Sequence, residues 1–144
     1  MRLVLDTNTV VSALLWEGAP RRLLKAVAVA RLQLFTSDAL LEELADVLSR
    51  RKFKKRIASL DFSPSELFDT YTKQVEIVQP IPVSRLAPDL DDDVVIGTAI
   101  AAKADFIVTG DKPLLSVEAF EGGRIVSVGE ALEAIAHSAS HSKQ

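Results

Sequence analysis

A three-layer α/β/α sandwich, with a mainly parallel sheet of about five strands between helices, is the fold this sequence predicts. Three observations carry it. Short apolar runs of strand length alternate with amphipathic helical stretches along the whole chain, the pattern of right-handed crossover units. Leu3-Val4-Leu5 and Phe106-Ile107-Val108 are apolar at every residue, as strands covered on both faces are. Helix boundaries between such runs are marked by Gly18 and Pro20, by Thr36-Ser37 and by Ser63-Pro64-Ser65-Glu66.

Leu3-Val4-Leu5 gives the first strand, and Asp6 follows it directly. Val10, Val11, Leu14 and Leu15 recur at helical spacing, so the chain turns from strand straight into helix. Gly18 and Pro20 stop that helix and start another, which carries Leu23, Leu24, Val27 and Ala28 on one face. Residues 32–35 read as the second strand, and Thr36 and Ser37 offer N-cap oxygens to a helix over 38–49. There Leu40, Leu41, Leu44, Val47 and Leu48 form one stripe at the 3.6-residue period. At about 100° per residue, Glu42 and Asp46 fall opposite the stripe, whereas Glu43 falls on its flank, best placed to reach inward. A boundary glutamate with packed stem and solvated head is the competing reading.

Residues 50–56 are basic at every position except Phe53. Such a run is commonly a solvated helix end, favoured by the helix dipole. Six cations around an aromatic also make a phosphate-steering patch, to which Arg21, Arg22 and Lys25 add if they lie nearby. The Ser63 capping box opens a helix through about residue 73 with Leu67, Phe68 and Tyr71. Residues 75–78 read as the third strand, and prolines at 80, 82 and 88 mark a long connection. A helix over about 92–104 is apolar nearly all round, so it is buried on several sides. Residues 106–108 and 124–126 give the fourth and fifth strands, and a last helix covers about 129–136. One domain over 1–136 is expected, with the polar residues 137–144 as a disordered tail.

At 144 residues the chain has the length of one domain. No run of about 18 apolar residues and no basic-apolar leader is present, which argues against a membrane span and for a cytoplasmic location. Cysteine is absent, which excludes disulfides and thiol chemistry; both histidines, His137 and His141, fall in the expected tail, which argues against zinc sites and histidine-dependent triads. A net charge of −3 does not by itself point to nucleic acid. Neither a P-loop nor a dinucleotide fingerprint occurs.

Carboxylates remain. Asp89, Asp91, Asp92 and Asp93 crowd the start of the buried helix, and each close, partly buried pair repels by about 1 kcal/mol or more. A hard cation such as Mg²⁺ or Mn²⁺ would offset that repulsion. Helix capping, at about 0.3–1 kcal/mol per acid, is the other account. In parallel sheets the ligand crevice lies beyond the carboxyl ends of the strands. Asp6 follows the first strand and Asp111 the fourth, while the helices bearing Glu43 and the aspartate cluster begin after the second and third. One rim thus presents all of them. Converging carboxylates with no histidine, cysteine or nucleophilic-serine motif suit hydrolysis assisted by one or two metal ions.

These residues resemble the PIN-domain ribonucleases, specifically the bacterial and archaeal branch of VapC-like toxins from toxin–antitoxin systems. The resemblance rests on Leu3-Val4-Leu5-Asp6-Thr7-Asn8, the helix from Ser37 to Leu48 with Glu43, the run 89–93, and Ala104-Asp105-Phe106-Ile107-Val108-Thr109-Gly110-Asp111, in order over nearly the whole chain. It implies a PIN-like fold in which Asp6, Glu43, Asp92 and Asp111 hold Mg²⁺ or Mn²⁺, supported by Asn8 and Thr109. Spacing from Ala104-Asp105 favours Asp92 as the third acid, with Asp91 or Asp93 as a further metal contact. Asp93 stands where many relatives carry asparagine, and Leu90 where many carry proline. The resemblance further implies an endoribonuclease that cuts single-stranded RNA with ion-activated water, leaving 5′-phosphate and 3′-hydroxyl ends. A homodimer and a site-blocking antitoxin are implied too, with Arg50, Arg51, Lys52, Lys54, Lys55 and Arg56 facing the RNA.

Two other readings stand beside it. One is a PIN scaffold that binds RNA or a protein without cutting. The other is a phosphatase of the haloacid-dehalogenase type, which is similar at the opening strand-aspartate and the later Gly-Asp but carries aspartate where this chain has Asn8. Trp16, Phe53 and Tyr71 are expected as core or interface filler rather than base-stacking platforms.

Overall fold

The computed structural model describes residues 1–30, 32–83 and 90–142, with the side chains of 90, 91 and 139–142 outside the description. Strand β1 (Arg2–Leu5) leads into α1 (Thr7–Leu15) and α2 (Ala19–Val29); β2 (Gln33–Thr36) leads into α3 (Asp38–Leu48). A 3₁₀ turn (Arg51–Phe53) and α4 (Lys54–Ser59) precede α5 (Pro64–Thr72) and β3 (Val75–Ile77). Then come α6 (Leu90–Ala101), β4 (Phe106–Val108), α7 (Lys112–Leu115), β5 (Ala119–Phe120), β6 (Gly123–Val126) and α8 (Val128–Ser142).

Among the described residues the sheet has six strands in the order β3-β2-β1-β4-β6-β5, parallel throughout except for the β5–β6 pair. About five strands were expected; the extra one, β5, is two residues long and has no periodicity to betray it. Alternation along each strand builds the layers. Leu3, Leu5, Leu34, Val108 and Val126 point to the face covered by α1, α2, α3, α5 and α8. Val4, Phe35, Ile107 and Ile125 point to the opposite face, where α6 supplies Val95, Ile96 and Ala99 and α7 supplies Leu114. The central strands therefore bury both faces, which is why their sequences read as uninterrupted apolar runs.

Two boundaries depart from expectation. Residues 50–56 form a turn and a fresh helix rather than the end of α3, because the α3 stripe stops at Leu48 and Ile57 starts a second buried contact. The helix at the C-terminus reaches Ser142, past the expected end near 136 and over much of the segment read as a tail. It is anchored by buried Ala131 and Ile135 and opened by a capping box, in which Glu130 Oε1 accepts from the Ser127 N–H at 3.0 Å and Ser127 Oγ accepts from the Glu130 N–H at 3.1 Å. Those bonds hold the Glu130 carboxyl below its usual range. Among the described residues, no helix is long and apolar enough to cross a membrane.

The connection after β3 lies against α6 backbone to backbone. The Ile81 N–H donates to the Gly97 carbonyl at 3.1 Å, and a Cβ on Gly97 would come within 2.3 Å of the Ile81 carbonyl oxygen. Alanine in a helix interior gains about 1 kcal/mol over glycine, but here it must displace the strap and its hydrogen bond. Overpacking of this kind costs about 1–3 kcal/mol, so Gly97→Ala is expected to lower stability on balance. Urea denaturation reads the sign: an unchanged or raised midpoint would show that the strap yields freely.

Candidate active site

Strands β1 and β4 run parallel with Leu5 opposite Val108, so Asp6 and Thr109 leave the sheet side by side. The Asp6 N–H still reaches the Val108 carbonyl at 3.2 Å, and the Thr109 N–H reaches that of Val126 at 3.0 Å. Register thus delivers a carboxylate and a hydroxyl to one point on the rim. Thr109 Oγ1 donates to Asp6 Oδ2 and accepts from the Asp111 N–H at 3.0 Å. Asp6 Oδ1 accepts from the Thr9 N–H at 2.9 Å, capping α1, and Asp111 Oδ2 accepts from the Leu114 N–H at 2.9 Å, capping α7. Each aspartate is therefore a helix cap and a rim carboxylate at once. In each, the cap bond fixes where the carboxylate points.

Asp6 is buried, at 8% exposure, and Thr109 is fully buried. Among the described residues, the hydrogen bonds to Asp6 come from the Thr9 backbone and the Thr109 hydroxyl, both neutral donors. The charge of Asp6 is felt as far as fully buried Tyr71 of α5, whose hydroxyl is pushed well above the usual tyrosine range by burial first and by Asp6 second. A buried carboxylate balanced only by neutral donors is a site into which a cation fits electrostatically. Its neighbours on the rim offer oxygen, which suits a hard divalent ion.

The other expected residues are less closely gathered. Glu43 is half-buried on the flank of the α3 stripe, as its position on the helix requires. Asp92 is half-buried and Asp93 buried at the start of α6, both of them engaged in interactions, and Asp93 faces a cavity of about 360 Å³ lined by residues 79–83. Asp89 and the side chain of Asp91 lie outside the described residues. Asn8 is exposed in the first turn of α1, and the donors that serve Asp6 are the Thr9 backbone and the Thr109 hydroxyl instead. Among the described residues, no three acids or histidines stand close enough to hold a metal ion together. Magnesium sites commonly use only one or two carboxylates and complete the shell with water and substrate phosphate, so the chemistry of the carboxylate on Asp6, linked through Thr109 to the backbone of Asp111, suits such an ion.

Several polar contacts were not legible in the sequence. Ser37 occupies the N-cap of α3 but makes no cap bond with its side chain; its hydroxyl pairs with that of Thr98 on α6 at 3.0 Å, both fully buried. Thr98 also donates to the Val94 carbonyl at 2.8 Å. Arg21 donates to the carbonyls of Ala13 at 3.2 Å and Leu14 at 3.0 Å, and Arg56 Nε to that of Leu15 at 2.6 Å. Two arginines read as phosphate-facing thus close the C-terminus of α1, whose last carbonyls have no helical partner. Arg50, Arg51, Lys52, Lys54 and Lys55 are exposed.

The family model of the PIN domain matches residues 2–113, a span that holds every carboxylate of the rim. Two solved structures share the fold: VapBC2 from Rickettsia felis, solved bound to a DNA fragment from their promoter, and PAE2754 from Pyrobaculum aerophilum. The first is 17% identical with a TM-score of 0.59, over 88% of this chain and 98% of that one. The second is 13% identical with a TM-score of 0.55, over 95% of this chain and 99% of that one. No curated protein sequence matches the chain. With the family matched over most of its length and the fold shared by both structures, the chain belongs to the PIN-domain family.

Proposed function

We propose that this protein is a metal-dependent endoribonuclease that hydrolyses single-stranded RNA, and that it is the toxin of a toxin–antitoxin pair. The observation that carries the reading is the Asp6–Thr109–Asp111 cluster, a buried carboxylate held by neutral donors on the rim of a parallel sheet. PIN domains are generally nucleases that use divalent metal ions. Asp6 and Asp111 hold the ion, Mg²⁺ or Mn²⁺, singly or as a pair, with Glu43 and Asp92 completing the quartet and Asp91 or Asp93 as a further contact. When bound, the ion supplies Lewis acidity and lowers the pKa of water. Thr109 fixes the Asp6 carboxylate by its hydroxyl, and Asn8 lies exposed beside it for contact with substrate.

The antitoxin, a homodimeric assembly and a cytoplasmic setting belong to the same proposal, and the likeness to VapBC2 supports the first of them. A binding scaffold that does not cut is the second reading. It is favoured by the lack, among the described residues, of three acids gathered for one ion. Cleavage of labelled single-stranded RNA with Mg²⁺ or Mn²⁺, against the same reaction in EDTA, separates the two. Metal-dependent cutting that a doubly substituted Asp6→Asn, Asp92→Asn protein lacks supports the nuclease. Tight RNA binding without cutting in any metal supports the scaffold.

Lys52, Lys54 and Lys55 are exposed, and as cations they act on the phosphates and not on the metal ion. Neutralising all three is expected to weaken RNA binding and to make the slope of log K against log salt shallower by about 2, at about 0.7 per phosphate contact of a single strand. Mn²⁺ affinity stays unchanged. An unaltered salt slope would place the RNA elsewhere.

A further inference from the structure

We propose that Trp16 is a base-stacking subsite for single-stranded RNA, an inference that rests on the ribonuclease reading and names where the substrate lies beyond the carboxylate rim. Of the aromatics expected to be filler, Tyr71 is, at 1% exposure. Trp16 is not core filler: it caps α1 with 43% of its surface open. Its ring meets Phe53 in a T-shaped contact, centroids 5.8 Å apart, and the Arg56 guanidinium sits 5.9 Å from its centroid while tied to Leu15. Lys52 Nζ lies 5.0 Å over Phe53. The indole is thus held in place by a second aromatic and a fixed cation, yet left wet.

An immobilised, half-exposed indole among cations is the composition of a single-strand platform: the rings take bases, which all have a π-face, and the cations take the backbone. A protein partner that covered the indole by apolar contact would have to desolvate the surrounding cations, which disfavours it. Asp6 caps one end of α1 and Trp16 the other, about 15 Å apart at 1.5 Å per residue. A few nucleotides of single strand are long enough to span that separation.

Trp16 is the sole tryptophan, so intrinsic fluorescence reports this subsite alone. The experiment titrates single-stranded oligoadenylate, and the same length with abasic sites, onto the full chain in EDTA, with anisotropy of labelled oligomer as the second readout. Adenylate is expected to quench Trp16 and the abasic strand to bind more weakly with little quenching. Trp16→Leu lowers adenylate affinity on the order of ten- to a hundredfold with the salt slope unchanged, and Trp16→Phe restores most of it. Binding by anisotropy with no quenching and no effect of Trp16→Leu overturns the subsite and leaves the nuclease reading intact. Equal quenching by the abasic strand overturns it in favour of phosphate contact only. Quenching that follows protein concentration without RNA overturns it in favour of contact with a second copy. Absence of RNA binding in every arm overturns both readings together.

Discussion

Asp6→Asn is expected to lower metal-dependent RNA cleavage by more than about a hundredfold, the upper end of what loss of an outer-shell partner costs a metal site, while the protein stays folded. The separation of the two effects follows from the two roles of the side chain. Asp6 Oδ1 caps α1 through the Thr9 N–H, and asparagine is as good an N-cap as aspartate. The neutral amide keeps that bond but removes the charge for which a divalent ion would enter. Asp6→Ala, by contrast, loses charge and cap together, at about 1 kcal/mol for the cap. Cleavage of labelled RNA and Mn²⁺ titration by calorimetry, set beside urea denaturation, separate the variants. An Asp6→Asn protein that binds Mn²⁺ and cuts as well as the wild type would show that the rim carboxylate is only a cap.

The aspartates at the strand ends were legible because a parallel sheet forces them to one edge. Strand-length apolar runs with acids immediately after them, Leu5-Asp6 and Val108-Thr109-Gly110-Asp111, fix the rim before any contact is known. Glu43 was legible for a similar reason, since a helical period leaves few flank positions beside a five-residue apolar stripe. The pairing of Ser37 with Thr98 could not be read, because a hydrogen bond between elements depends on register and on packing across 61 residues of sequence. Composition misled at residues 50–56 in one respect. Charge alone marks Arg56 and Lys55 as equals, yet Arg56 lies near the end of α1 and closes it, while Lys55 points into water. The extent of α8 was hidden by polar residues that sit on a solvated helix end as readily as in a coil.

Thr109→Val tests whether the rim works as a connected unit. Valine matches threonine in shape, but it leaves Asp6 Oδ2 without its donor and the Asp111 N–H without its acceptor, at a fully buried position. Each buried group left unpaired costs about 1–3 kcal/mol, so stability is expected to fall by that order. Cleavage and Mn²⁺ affinity are expected to fall about 10- to 100-fold, because Thr109 orients the carboxylate without contacting the ion itself. Thr109→Ser gives the opposite pattern. It keeps the hydroxyl, and with it both hydrogen bonds, while losing one buried methyl at about 0.8 kcal/mol. A small stability loss with near-normal activity in serine, against a larger loss of activity in valine, locates the effect in the hydroxyl. Equal activity in the two variants would mean that Asp6 is held by the Thr9 amide alone, and that Thr109 is only packing between β4 and β1.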